Sequence, residues 1–158
     1  MSNWQKFWIW AAGIFALDQA IKLLVVHVMD LKTTLYQEIW PPYLVLNMGW
    51  NRGINFGFLR TEGMASQWIL IAATVLICGL AMWWIRPEPR PMAFVSAGVM
   101  VGGGMANALD RVLYGAVADF LNMSCCGIRN HFVFNVADIA IFAGAIGLIL
   151  FTRSKKDA

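Results

Sequence analysis

Five polar positions in an otherwise apolar chain have the types and spacing to do chemistry. Asn107 and Asp110 stand three residues apart, as do Asn135 and Asp138, and Asp119 lies between the two pairs. In helical segments an i,i+3 pair shares one face, so each Asn-x-x-Asp pair reads as one polar patch on a helix. Of the nine acidic residues, Asp18, Asp110, Asp119 and Asp138 fall in or at the edges of apolar stretches. An ionisable side chain within a span costs about 2.5–3.5 kcal/mol on insertion scales, so each needs a reason. Two carboxylates brought close share one proton, because both cannot ionise cheaply. The charged member then draws a proton from water while the protonated one donates to a substrate carbonyl. No competing nucleophile stands out, since Ser66, Ser96 and Ser124 have no evident histidine partner and His27 and His131 are the only histidines. Other readings stay open. Asp18 with Lys22 (i,i+4) and Asp110 with Arg111 read equally as ion pairs that hold helices together, and Asp18, Lys22 and Asp138 could form the relay of a small proton- or cation-coupled transporter.

The elements that must position these residues are membrane spans. The chain has 158 residues, 59% hydrophobic and 13% charged, about half the charge of an ordinary soluble domain. Its net charge of +3 is too small to argue for nucleic acid. The stretches between Glu62 and Arg86 and between Arg90 and Asp110 contain no charge, and each reaches the roughly 20 residues that cross ~30 Å of hydrocarbon. Phe7 to Leu17 is about 16 Å of helix and Ile139 to Thr152 about 21 Å, too short to cross alone. The first span must therefore continue through Asp18 and Lys22, and the fourth must include Asp138 and begin near Phe132. The expected fold is all-α, with four transmembrane helices over residues 7–28, 67–85, 92–110 and 132–152, in a single domain covering 1–158.

Lys6, Arg86, Arg90, Arg153, Lys155 and Lys156 crowd the ends and the short second turn, whereas Lys32, Arg52, Arg60, Arg111 and Arg129 are spread over two longer loops. The positive-inside rule then puts both termini in the cytoplasm and both long loops outside, with the two Asn-x-x-Asp patches at similar depth near the outer leaflet. The apolar run Phe7–Met29 is longer than a signal-peptide core and reads as an anchor. In the first outer loop, Tyr43–Leu46 and Ile54–Leu59 are strand candidates after Pro41-Pro42, which suggests a small extracytoplasmic β-rich platform between helices one and two. Gly102-Gly103-Gly104 reads as a close-packing run. Cys78 and the adjacent Cys125 and Cys126 show no zinc-type spacing, and no metal or cofactor is expected.

With these residues in view, the chain resembles lipoprotein signal peptidase, the bacterial signal peptidase II family. Gly103-Gly104, then Asn107-x-x-Asp110-Arg111, then Gly115-x-Val117-x-Asp119-Phe120 is similar to that family's central pattern. Phe134-Asn135-x-Ala137-Asp138 resembles its second hallmark, Leu17-Asp18-Gln19 with Lys22 its first-helix motif, and Asn51-x-Gly53-x-x-Phe56 its outer-loop segment. The resemblance implies an intramembrane aspartyl endopeptidase of the bacterial inner membrane with Asp119 and Asp138 as catalytic dyad. It further implies that Asn107, Asp110, Arg111 and Asn135 line the site, that Asn51 and Arg111 help hold substrate, and that Asp18 and Lys22 support the surrounding fold. The implied substrate is a prolipoprotein bearing diacylglycerol on its cysteine and cut just before it. The implied partners are membrane lipids and a cyclic peptide inhibitor such as globomycin, with the protein acting as a monomer.

Overall fold

The computed structural model describes residues 1–53, 64–125 and 130–152. The expected strand at Ile54–Leu59, Phe56 of the outer-loop motif, Cys126, and Arg60, Arg129, Arg153, Lys155 and Lys156 of the charge count lie outside the described residues.

Helix α1 (Asn3–Lys22) starts at a capping box. Gln5 N donates to Ser2 Oγ at 3.2 Å, and Ser2 N donates back to Gln5 Oε1 at 2.7 Å, so two of the orphan donors at the helix start are satisfied. The chain then widens into a π-helical turn, Leu23–Val28, closed by Met29 N donating to Leu24 O at 2.8 Å. A short helix α2 (Leu31–Thr34) leads to strands β1 (Tyr36–Trp40) and β2 (Leu44–Asn51). Helices α3 (Met64–Trp84) and α4 (Pro91–Tyr114) follow, α4 opening with its proline at the first position, where no intrahelical N–H is needed. Gly115, at φ +71°, ends α4 in the left-handed conformation, its N–H returning to Arg111 O at 3.0 Å. Strand β3 (Val117–Asn122) and helix α5 (Val136–Phe151) complete the order.

Among the described residues three helices are long and apolar enough to cross a membrane: Asn3–Val28, Ser66–Trp84 and Pro91–Tyr114. The fourth expected span is shorter than 132–152. Residues 132–135 are not helical, and α5 has 16 residues, about 24 Å of helix against ~30 Å of hydrocarbon. The helix cannot start earlier because Asn135 is its N-cap and Phe134 pairs with Leu121 as an isolated antiparallel bridge. The third expected span grows instead. Helix α4 runs on to Tyr114, so Asp110 and Arg111 lie within it and not at its exit.

Helix α4 is central, packing against α1, α3 and α5. Its glycine run gives one close approach to each neighbour. A Cβ on Gly102 would meet Ala11 O of α1 at 2.5 Å, one on Gly103 would meet Ala137 O of α5 at 2.6 Å, and one on Gly104 would meet Cys78 Sγ of α3 at 3.2 Å. Small residues at such crossings let backbones approach where no hydrophobic force drives helices together in lipid. The outer faces are apolar and open. Leu24, Leu76, Ile77, Phe142 and Ile149 are each at least half exposed, a surface suited to lipid and not to water.

The sheet has the order β1-β2-β3, antiparallel throughout. The platform is thus not made by the first loop alone, as expected from the sequence. Its third strand comes from the chain after α4, turned back by Gly115 and buried along almost its whole length. Val25, Val26, Leu31, Leu46, Ala118 and Phe120 form the apolar cluster that seats this sheet on the π-turn end of α1.

Candidate active site

Four elements converge where β3 and the start of α5 meet the interior of the helices. Asp119 is carried on β3 opposite Gly49 of β2, and is 3% exposed. Its Oδ1 accepts from Asn135 Nδ2 at 2.6 Å and its Oδ2 from Asn51 Nδ2 at 3.1 Å. Asp138 lies in the first turn of α5, half-buried. Its Oδ1 accepts from Asn107 Nδ2 at 2.9 Å and its Oδ2 from Asn135 N at 3.2 Å. Asn135 therefore reaches both carboxylates, one with its side chain and the other with its backbone. It also donates to Asn107 Oδ1 at 3.1 Å and accepts from Asp138 N at 2.9 Å.

This corrects one inference from spacing. Asn135 and Asp138 are not two residues on one helical face but the reciprocal halves of a capping box, Asn135 outside the helix and Asp138 at its third position. A carboxylate in the first turn also complements the positive end of the helix dipole.

Below this ring lies a buried ionic cluster. Lys22 Nζ stands 2.8 Å from Asp18 Oδ2 and 2.7 Å from Asp110 Oδ2, and donates to Asn107 Oδ1 at 3.2 Å. The expected Asp18–Lys22 pair is present. Asp110 pairs with Lys22 and not with Arg111, whose Nη1 donates to Asn107 O at 3.3 Å. Adjacent residues on a helix point about 100° apart, so the neighbouring arginine was geometrically ill placed. Both carboxylates also bind backbone: Asp18 Oδ1 accepts from Ala137 N at 2.8 Å, and Asp110 Oδ2 from Ala118 N at 3.2 Å. Ala137 and Ala118 immediately precede Asp138 and Asp119. Each carboxylate of the cluster thus holds the backbone one residue before a carboxylate of the site.

Two further side chains join the network: Gln19, marked in the sequence only within the first-helix motif, and Gln67. Gln19 donates to Asp110 Oδ1 at 3.0 Å and to Asp18 Oδ2 at 3.3 Å. Its place three residues before Lys22 on the same helical face was the available signal. Gln67 of α3 donates to Arg111 O, with no signal beyond its being polar at the edge of a span. Arg111 Nε is buried without a hydrogen-bond partner in the described structure. Among the described residues no three His, Cys, Asp or Glu side chains gather as a metal cage.

The family model described as signal peptidase (SPase) II matches residues 10–153. Lipoprotein signal peptidase from Methylorubrum extorquens (strain PA1) is 42% identical over 85% of this chain and 78% of its own length. The protein of the same name from Methylobacterium radiotolerans is 41% identical over 88% of this chain and 84% of its own. The chain belongs to the signal peptidase II family. It is a peptidase of the bacterial membrane. A bacterial membrane enzyme solved by the in meso method at 1.9 Å shares the fold, with a TM-score of 0.75 at 23% identity over 90% of this chain and 88% of that one.

Within this signal peptidase II chain, the surroundings of Asp119 oppose its charge. Burial, and after it the neighbouring charge of Asp138, push its pKa from 3.8 up to about 6, against the lowering effect of the Asn51 and Asn135 hydrogen bonds. The infrared carbonyl band of protonated Asp119, isolated as the difference between wild type and Asp119→Asn, should therefore disappear as pH rises through about 6. Loss of that band near 3.8, the ordinary value, would show that the carboxyl is not held apart from water.

Proposed function

We propose that Asp119 and Asp138 are an aspartyl dyad that cleaves diacylglyceryl-modified prolipoproteins at the bond just before the lipidated cysteine. The observation that carries this reading is the double hold of Asn135, which ties one carboxylate on a strand to another at a helix start. Asp119, whose burial opposes its charge, carries the proton, and Asp138 serves as base. Asp138 takes a proton from water as its oxygen adds to the scissile carbonyl, and Asp119 gives its proton to the carbonyl oxygen. Collapse of the tetrahedral intermediate breaks the C–N bond, the proton held by Asp138 passing to the leaving amine while Asp119 takes back a hydroxyl proton as C=O reforms. No covalent intermediate forms. Arg111, with an unused Nε beside the site, and Asn51 hold substrate carbonyls. Both termini lie in the cytoplasm and the dyad lies near the outer leaflet, where a lipid-anchored substrate arrives sideways through the bilayer. The whole chain works as one domain and as a monomer, and globomycin blocks it by occupying this site. No observation favours the transporter reading, because Asp18 and Lys22 are committed to the ionic cluster.

The test is cleavage by purified protein in liposomes, with one prolipoprotein offered with and without its diacylglyceryl group. Cleavage of the lipidated form alone is expected. Equal cleavage of both forms would remove the lipid from the recognition.

A further inference from the structure

Strand β2 presents a different surface on its other side. Successive side chains of a strand point to opposite faces, so Trp50 points away from the face on which Asn51 meets Asp119. There a cleft of ≈230 Å³ is lined by Trp50, Arg52, Tyr114 and Ala116. The Trp50 ring lies 5.6 Å from that of Tyr114, and Tyr114 Oη is 3.3 Å from His27 Nε2. When Nε2 carries the proton, the imidazole donates to the phenol oxygen and leaves the phenol O–H to donate outwards. Arg52 is exposed, and among the described residues it forms no ion pair.

The helix surface within one turn of this polar mouth is apolar. Leu24 and Val28 flank His27 on the π-helical turn, and Val112 and Leu113 precede Tyr114 at the end of α4. All four are at least half exposed. A cationic and aromatic mouth above an open apolar wall, at the end of membrane-spanning helices, matches a lipid with a charged headgroup. The cleft is smaller than the roughly 300–1,000 Å³ that encloses a drug-sized ligand. It suits a phosphodiester whose chains stay outside. Guanidinium is the side chain best matched to phosphate oxygens, and Trp and Tyr favour the headgroup level of a bilayer.

We propose that this cleft binds the phosphate of an anionic phospholipid, held by Arg52 and Tyr114, with the acyl chains lying along Leu24, Val28 and Leu113. A free phosphate would have no use for the apolar wall, and a zwitterionic headgroup would bring its own cation against Arg52. The site stands on the membrane setting of the chain and not on the dyad, so cleavage activity neither supports nor weakens it.

The test is native mass spectrometry of the purified protein in neutral detergent, titrated with phosphatidylglycerol, phosphatidylcholine or inorganic phosphate. Wild type should bind phosphatidylglycerol more tightly than phosphatidylcholine, and inorganic phosphate should not displace it. Arg52→Gln should weaken phosphatidylglycerol binding about tenfold, and Tyr114→Phe should weaken it by a smaller factor. Both are judged at a thermal midpoint matching wild type in lipid-free detergent. Should Arg52→Gln fail to fold, Tyr114→Phe, which keeps its ring, decides the matter. Unchanged binding in every folded variant, equal affinity for the two lipids, or displacement by inorganic phosphate would overturn the proposal.

Discussion

Asp119→Asn and Asp138→Asn are each expected to lower kcat/KM by about 10²–10⁴-fold, the usual worth of a general acid or base, while leaving the fold in place. The substitution keeps the shape of the side chain and one of its two acceptor oxygens. At Asp119 that oxygen can still take the 2.6 Å bond from Asn135, while the new amide nitrogen meets the donor Nδ2 of Asn51 and that bond is lost unless the Asn51 amide turns over. The lost hydrogen bond is worth about 0.5–1.5 kcal/mol and is partly offset by relief of buried carboxylate desolvation, so each variant should stay folded. The double variant should be scarcely slower than either single one, because two groups that pass one proton act as a unit. Activity in either single variant close to wild type would remove that residue from the chemistry. The check is a steady-state cleavage assay alongside a thermal melt of each purified variant.

Lys22→Met should instead cost stability, about 3–5 kcal/mol, the usual penalty for breaking a buried ion pair from one side. Lys22 is 5% exposed, and its ammonium faces two fully buried carboxylates at 2.8 and 2.7 Å. Without it Asp18 and Asp110 are left as uncompensated like charges around Asn107. Because those carboxylates hold Ala137 N and Ala118 N, the disturbance should also reach the dyad and lower activity in whatever protein stays folded. Adding Asp110→Asn to Lys22→Met should recover part of the stability by removing one of the two stranded charges. Thermal unfolding in detergent reads both effects. A midpoint for Lys22→Met equal to wild type would mean that the cluster carries no structural load.

The depth of Asp18 and Lys22 was legible because span length is arithmetic. Eleven apolar residues cannot cross a bilayer, so the helix had to carry the charges inward, and both side chains are buried. The convergence of Asn107, Asn135 and Asp138 was legible in outline for the same reason. The local geometry at Asn135 was not, because a spacing of three serves equally for a helical face and for a capping box. One of the open readings pairs Asp110 with its sequence neighbour Arg111, whereas its partner Lys22 lies on another helix, a contact that only tertiary packing decides. Strand β3 is a case of the same kind. Gly115 to Phe120 reads as a loop until β2 lies beside it, since strand pairing is set by a partner distant in sequence. The π-helical turn of Leu23–Val28 has no sequence signature that separates it from an ordinary continuation of α1.

The most direct test of the central claim is a single turnover of the lipidated prolipoprotein by purified protein in heavy-oxygen water containing hydroxylamine, read by mass spectrometry. The expected product is a signal peptide ending at the residue before the lipidated cysteine, with heavy oxygen in its new carboxylate and no hydroxamate, because dyad-activated water attacks the carbonyl directly. A hydroxamate at that terminus would reveal an acyl-enzyme and a side-chain nucleophile, and a different terminus would mean a different bond. Either result would contradict the aspartyl dyad as described.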